Sequence, residues 1–308
     1  MTGIGNAPAV VKASLGLLLL VVAAACGGTQ PGAAEDDRER IEDLETGREV
    51  TFEEMIANLG RARVIYVGEA HDDPAHHRAQ GAILEALHGR DPDIALGVEM
   101  VQRPFQPALD TWVQSAGAED DEAALLTGVE WEERWGFDFE LYRPLFELCR
   151  SEGIRIIALN ARKELTRAVA RRGLTGLSEE LATELPELVL DDSQHRAMIE
   201  EALSEHPNMS EAFFERMYSA QVVWDETMAD SVATALAAPD APRRLMVIAG
   251  SFHVVGGLGV PGRAARRGAT PYEIVLPFTP GRDQSHPSIS RGPPGRYRWV
   301  GSRHPTTP

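Results

Sequence analysis

The chain has few cations, which argues against a nucleic-acid-binding protein. Lysine and arginine together number 30 against 47 aspartates and glutamates, so the formal net charge is −17. A nucleic-acid-binding protein needs positive side chains to neutralise phosphates, and that class is therefore disfavoured. Long apolar runs are scarce as well. Beyond residues 15–25 the sequence has no other long apolar segment, so we expect no transmembrane helix.

Several catalytic signatures are also missing. The sequence contains no His-Glu-x-x-His, no Gly-x-Ser-x-Gly, no Walker loop and no Cys-x-x-Cys-His haem attachment. Gly257-x-Gly259-x-x-Gly262 formally matches a dinucleotide-binding fingerprint. We reject that match, because several residues separate it from the preceding strand and no acidic residue follows at the required distance. We interpret this glycine-rich stretch as a flexible loop before a short arginine-containing helix.

Cysteines are limited to two, Cys26 and Cys149. Residues 15–25 have the length of the apolar core of a signal peptide, and small residues precede Cys26, as in bacterial lipoproteins. On this interpretation residues 1–25 are a signal peptide, Cys26 carries the lipid, and residues 26–40 are a flexible tether. An ordinary signal peptide with an incidental cysteine is the alternative. If Cys26 is lipidated, Cys149 has no disulfide partner and is expected to be a buried packing residue.

Apolar runs alternate with helical patterns over the rest of the chain. The runs that predict strands are Val64–Val67, Ile94–Val98, Ile154–Leu159, Leu245–Ala249 and Glu273–Leu276. This alternation predicts an α/β fold with a mainly parallel central sheet flanked by helices. Residues of about 165–238 predict a helical insertion that acts as a lid. We assign residues 41–280 to this one domain and residues 281–308 to a loose C-terminal tail.

Ionisable side chains follow the predicted strands, at the edge where open α/β sheets bind ligands. Glu69 and His71 follow the first strand, Glu99 the second and His253 the fourth. Taken singly, each is more simply explained as a helix cap or a solvated loop residue. Together they favour a metal site, because buried carboxylates are costly unless a cation offsets them. Imidazole and carboxylate ligands suit zinc, manganese, iron or cobalt, and an uncoordinated Glu69 or Glu99 would serve as general base.

Two predicted helices add polar residues to apolar stripes. His76 faces inward on the helix that begins at Pro74, either as a ligand or as a core histidine bonded to a backbone carbonyl. Gln221 and Asp225 share one face of a later helix. They form either a structural hydrogen-bonded pair or part of the chemistry, and Asp225 is therefore a further candidate catalytic residue.

Taken together, these motifs resemble the ChaN-like family of lipoproteins. The segments that carry the resemblance are Gly68-Glu69-Ala70-His71-Asp72 with His76-His77, Gly97-Val98-Glu99-Met100, Gln221-x-x-Trp224-Asp225-Glu226-x-Met228-Ala229, and Gly250-x-x-His253 with Gly257-x-Gly259-x-Pro261-x-Arg263. The similarity covers residues of about 40–280. The resemblance implies a superfamily with the Tiki and TraB proteins, related to the erythromycin esterase-like enzymes.

The resemblance implies two different functions. ChaN-like lipoproteins bind haem and are linked to iron uptake, and here Tyr142 and His76 are candidate axial ligands and Arg263 a candidate partner of the propionates. The aromatic residues before Tyr142 form either the walls of a haem slot or a plain core cluster. Tiki proteins are metal-dependent peptidases, which implies a peptidase or esterase with His71, His253 and either Glu69 or Glu99 around a divalent transition metal.

The leading expectation is a haem- or iron-binding lipoprotein at the cell envelope, facing the periplasm or the cell surface, that serves iron acquisition. A metal-dependent hydrolase is the second expectation, and a metal kept only for structure is the third. The expected partners are haem or another small molecule, and a membrane reached through the lipid. The oligomeric state stays open, with a homodimer as one option.

Overall fold

Eight strands form one mixed sheet in the computed structural model, which describes residues 38–115, 117, 120–204, 210–283 and 295–301. In chain order the strands are β1 (Arg40–Asp43), β2 (Arg48–Val50), β3 (Val64–Glu69), β4 (Ile94–Gln102), β5 (Ile156–Asn160), β6 (Arg244–Gly250), β7 (Tyr272–Phe278) and β8 (Tyr297–Val300). Across the sheet their order is β2-β1-β8-β7-β3-β6-β4-β5. Neighbours from β8 to β5 are parallel, and β1 is antiparallel to both of its neighbours. The five predicted strands and the mainly parallel sheet are confirmed.

Helices cover both faces of this sheet. They are α1 (Phe52–Leu59), α2 (Pro74–Arg90), α3 (Gln106–Gln114), α4 (Asp121–Gly128), α5 (Trp131–Arg134), α6 (Arg143–Glu152), α7 (Lys163–Arg172), α8 (Glu179–Ala182), α9 (Ser193–Leu203), α10 (Glu211–Ala237), α11 (Ser251–Val254) and α12 (Val260–Arg266). Local sequence sets where they begin. Thr51 and Glu54 form a reciprocal capping box at α1, and Asp73 caps α2 by accepting from the Ala75 N–H.

Side chains alternate between the two faces along each central strand, as the pleat requires. Ile65 and Val67 of β3 pack in the apolar layer that contains the buried faces of α1, α2, α3 and α6. Val64 and Tyr66 pack on the opposite side, in a layer formed with α10 and α12. The predicted helical insertion is therefore present as α7–α10, and its long helix α10 lies against one face of the sheet. Cys149 is fully buried, as expected.

The predicted boundaries of the domain need correction at both ends. The loose tail assigned to residues 281–308 is wrong for residues 297–300, which form β8 between β7 and β1. Tyr297 and Val300 are buried there, so this short strand belongs to the core. Strand β1 begins at Arg40, inside the predicted tether. The predicted signal peptide, Cys26 and the tether as far as residue 37 lie outside the described residues.

No helix among the described residues is both long enough and apolar enough to cross a bilayer.

Candidate functional site

Two neighbouring strands bring the first predicted site residues together. Glu69 ends β3 and pairs in register with Gly250, which ends β6. Glu99 differs from its predicted position after a strand, because it lies within β4. The register between β4 and β5 shifts between Val98 and Gln102, and Glu99 lies in that irregular stretch. Such irregularities re-aim a side chain, here towards the carboxyl edge of the sheet.

Glu69 holds one imidazole of the site. Its Oε1 lies 2.7 Å from His71 Nδ1 and accepts a 2.7 Å hydrogen bond from the Tyr142 hydroxyl. Its Oε2 accepts from Gln80 Nε2, also at 2.7 Å. Burial would raise the pKa of Glu69, but His71, His77 and Gln80 outweigh it and hold that pKa at about 2. Glu69 is therefore an anion that fixes His71 through Nδ1 and leaves its Nε2 for a ligand.

A second carboxylate and imidazole face this pair. Glu99 Oε2 accepts from the Gly250 N–H at 2.6 Å, and Glu99 Oε1 lies 3.3 Å from His253 Nε2. On the other side of the ring, His253 Nδ1 lies 2.5 Å from Asp225 Oδ1. Burial would lower the pKa of His253, but the charges of Glu99 and Asp225 raise it to about 10. Without a ligand, His253 is therefore protonated between two carboxylates.

The two pairs meet at Gly250. A Cβ placed on this residue would lie 2.9 Å from His71 Cε1, 3.1 Å from His71 Nε2 and 3.6 Å from Glu99 Oε2. Burial opposes protonation of His71, but its hydrogen bond to Glu69 and the charge of Glu99 raise its pKa. The structure thus brings Glu69, His71, Glu99 and His253 to one rim, and glycine at position 250 is what allows the approach.

Aromatic side chains flank both imidazoles. The Trp135 and Phe137 rings lie 4.7 and 4.9 Å from the His71 ring, and Trp224 lies 6.0 Å from that of His253. All three aromatic residues are half-buried, and the His71 side chain keeps 26% of its surface exposed. The site therefore has apolar walls beside one imidazole that a ligand can reach.

Tyr142 does not lie in an open slot. Its side chain is fully buried, and its hydroxyl donates to Glu69. Burial and the neighbouring Glu69 charge raise the pKa of Tyr142 far above the usual tyrosine value. In this structure Tyr142 is therefore a neutral donor behind the Glu69–His71 pair, out of reach of a haem iron.

Arg263 is also enclosed. Its guanidinium is fully buried, pairs with Glu226 and donates to His195 Nδ1 at 3.0 Å. A propionate would have to displace one of these partners to reach it. In this structure Arg263 therefore has no exposed surface with which to make the predicted contact with haem propionates.

His76 faces inward, as its apolar stripe predicts, but it belongs to a different cluster. Its Nδ1 accepts from the Ala70 N–H at 2.8 Å, and its Nε2 lies 3.2 Å from Asp283 Oδ2 and 3.7 Å from Asp73 Oδ2. These three side chains are close enough to hold a metal ion. Because Nδ1 accepts a hydrogen bond, the ring proton is on Nε2, which then has no lone pair to coordinate a cation.

The sequence analysis missed several side chains that complete the site. On α2, Gln80 donates to Glu69 and the His77 ring contacts the His71 carbonyl. On α9, the His195 ring contacts Asp225. Gln80 lies four residues after His76, where the helical period offered a signal. His195 carries no comparable signal, because its neighbour in space is Asp225, on another helix. Gln221 and Asp225 are indeed neighbours, and both contact His253 Nδ1.

A family model described as "Haem-binding uptake, Tiki superfamily, ChaN" matches residues 55–263 of this chain. The chain belongs to the ChaN family. The structure of ChaN of Campylobacter jejuni, which binds haem cofacially, aligns with a TM-score of 0.63 and 18% identity. That alignment covers 85% of this chain and 96% of the other, and it shows that this chain has the ChaN fold.

Two other proteins are similar to this chain. Protein RETICULATA-RELATED 5, chloroplastic, of Arabidopsis thaliana is 25% identical over 265 residues, which cover 80% of this chain and 35% of the relative. The ChaN-family chain thus spans about a third of that relative's length. An erythromycin esterase mutant, EreC in its open conformation, is 12% identical with a TM-score of 0.46, over 85% of this chain and 82% of the other. At that distance the likeness carries no functional argument.

Proposed function

We propose that this ChaN-family protein binds haem at the carboxyl edge of its sheet and serves iron acquisition from a lipid anchor in the cell envelope. The observation that carries the proposal is His71. It combines an exposed imidazole edge, an Nδ1 held by Glu69, and flat walls formed by Trp135 and Phe137. An imidazole whose other nitrogen is held by a carboxylate is a well-oriented metal ligand.

The residues present fit haem through this donor set. His71 would ligate the iron, and the half-buried Trp135 and Phe137 would contact the apolar porphyrin. Bound haem would supply an iron that accepts a nitrogen ligand. Glu69 keeps the Nδ1 side of the imidazole occupied, and Tyr142 and Gln80 keep Glu69 in place. This arrangement moves the expected iron ligand from Tyr142 and His76 to His71.

A haemin titration of the purified protein tests the proposal. Wild type is expected to give a Soret band with saturable binding, and His71→Ala is expected to abolish it. His76→Ala is expected to bind as wild type does, because His76 lies in the Asp73–Asp283 cluster. His88→Ala, on the far end of α2, is the matched control. Loss of the Soret band in Tyr142→Phe with full binding in His71→Ala would overturn the assignment and restore Tyr142 as the ligand.

The envelope location rests on the sequence around Cys26. Small residues before this cysteine, a preceding apolar core and a following Gly-rich segment support lipidation and a position facing the periplasm or the cell surface. Metabolic labelling with a fatty-acid analogue is expected to mark the wild-type chain and to spare Cys26→Ser. Equal labelling of both chains would contradict the anchor.

Metal-dependent hydrolysis of peptide or ester bonds is the second candidate function. The observation that favours it is that His71 and Glu99 meet at Gly250 while His253 contacts Glu99, since an N/O donor set of this kind binds zinc, manganese, iron or cobalt. Hydrolysis that chelators suppress and that His253→Ala abolishes would support it. Stoichiometric metal without turnover would leave only a structural cation.

A further inference from the structure

Asp225 lies between two histidines that come from different helices. Its Oδ1 is 2.5 Å from His253 Nδ1, and its Oδ2 is 2.9 Å from His195 Nε2. Asp225 and His195 are both fully buried, and so is Arg263, which contacts the far side of the His195 ring. A buried carboxylate between two rings is costly unless each of its contacts is a hydrogen bond with a defined direction.

The direction of these hydrogen bonds follows from Arg263. A guanidinium has donors and no acceptor, so the 3.0 Å contact requires His195 Nδ1 to accept. The single proton of the His195 ring is then on Nε2, and it is donated to Asp225. Asp225 uses its other oxygen to accept from His253 Nδ1. The chain of donors therefore runs from Arg263 through His195 to Asp225, where it meets the proton of His253.

Arg263 is itself immobilised. It forms an ion pair with the buried carboxylate of Glu226, which also takes contacts from Arg266 at 2.7 Å and Arg267 at 2.6 Å. Because Glu226 balances the charge of Arg263, the guanidinium acts towards His195 as a fixed donor. The start of the donor chain is thus anchored in the layer formed by α10 and α12.

We propose that His195 is a positioning residue of the site, inserted by α9 between Arg263 and Asp225 so that Asp225 holds the Nδ1 proton of His253. Nε2 of His253 is then the nitrogen turned towards Glu99 and towards a ligand. Because α9 belongs to the helical insertion, a shift of α9 away from α10 would break this link and free the His253 ring. The insertion thereby controls whether the second imidazole is ready to bind.

The ligand-binding consequence rests on the second candidate function, in which His253 Nε2 binds a divalent metal. The hydrogen-bond chain itself needs no ligand, so the two can fail separately. A metal would take the place of the proton on Nε2, while the proton on Nδ1 stays with Asp225. Removing His195 takes away one of the contacts that fix the Asp225 side chain, so the carboxylate could turn away from His253 Nδ1.

Proton NMR of the ligand-free protein tests the chain directly. The short His253–Asp225 contact predicts a strongly deshielded, slowly exchanging ring proton, which His253→Gln assigns by removing it. His195→Phe is expected to shift or broaden that resonance, whereas His195→Gln keeps it, because an amide can accept from Arg263 and donate to Asp225. Tyr218→Phe, which alters a ring packed against His195 and leaves Asp225 untouched, is the control.

Titration with Co²⁺ alone supplies the second readout. We expect His195→Phe to weaken Co²⁺ binding roughly 10- to 100-fold and His195→Gln to weaken it much less. His195→Leu replaces the phenylalanine variant if the larger ring prevents folding. An unchanged resonance in a folded His195→Phe or His195→Leu overturns the proposal, as does loss of the resonance in a folded His195→Gln. A wild-type chain that shows the resonance but binds no Co²⁺ refutes only the metal-binding function.

Discussion

Substitution of Gly250 by alanine adds one methyl group at the point where His71 and Glu99 approach each other. The backbone of Gly250, with φ −49° and ψ 137°, is open to any residue, so the change introduces no backbone strain. The added Cβ would lie 2.9 Å from His71 Cε1 and 3.1 Å from His71 Nε2. The effect of the variant therefore comes from this contact alone.

The size of the effect follows from those distances. Carbon atoms in contact prefer about 3.5–4.0 Å, so the His71 ring must move by about 0.6 Å or more. It cannot move freely, because Glu69 holds its Nδ1 at 2.7 Å and the Trp135 and Phe137 rings lie 4.7 and 4.9 Å from it. We expect a loss of about 1–3 kcal/mol in the free energy of unfolding, as for other overpacked sites. Haemin affinity is expected to fall roughly 10- to 100-fold, because His71 leaves its oriented position.

Urea unfolding and a haemin titration measure the two effects, and Gly81→Ala is the matched control. Gly81 lies inside α2, and a Cβ there would meet no atom within 4 Å. That variant is expected to gain about 1 kcal/mol of stability, the usual benefit of alanine over glycine in a helix, with haemin affinity unchanged. If Gly250→Ala has the same free energy of unfolding and the same haemin affinity as wild type, His71 does not occupy the ligand position assigned to it.

Four further predictions concern stability. Burial lowers and the two carboxylates raise the pKa of His253 from 6.5 to about 10, so its contribution to stability is complete below pH 6.5 and lost as pH rises towards 10. For Glu69, whose pKa is held at about 2 rather than 4.5, the contribution to stability is complete above pH 4.5 and lost as pH falls towards 2. Urea unfolding between pH 2 and pH 10 measures the contributions of His253 and Glu69, and a free energy of unfolding that does not change with pH contradicts both predictions. Arg263→Met removes one of the three arginines that contact the buried Glu226 and is expected to cost about 1–3 kcal/mol, part of which Glu226→Leu restores in the double variant; equal stability of the single and double variants would argue against the pairing. Tyr297→Ala is expected to cost about 3–5 kcal/mol if β8 belongs to the core, and a cost below 1 kcal/mol would return these residues to a loose tail.

The central strands could be predicted because each is a continuous apolar run, which the two-sided burial of a parallel sheet demands. Strands β1 and β2 could not, because most of their three or four residues are charged and resemble a polar loop, and β8 could not, because its four residues are too few to show a periodic pattern. Arg40 and Tyr297, for example, become strand residues only through their pairing partners in the sheet. Short strands of this kind depend on tertiary contacts more than on their own sequence.

For the candidate site, the sequence indicates which residues lie at the ends of strands, but it does not indicate which side chains are exposed. Glu69, His71, Glu99 and His253 could be placed on one rim because parallel strands end at one edge. Tyr142 is a suitable ligand by residue type, yet the structure buries it as a donor to Glu69. His195 was not found, since only the packing of α9 against α10 brings it to Asp225.

The position of β8 inside the sheet has a consequence for synthesis of the protein. Strand β1 pairs with β8, which comes after all the other described strands in the chain, so the β1–β2 hairpin has no place to dock until residues 297–300 have left the ribosome. Until then the outer side of β7 is an open template for pairing with other chains. We expect ribosome-stalled chains that end before residue 295 to aggregate or recruit chaperones, and chains that expose residues 297–300 to become protease-resistant.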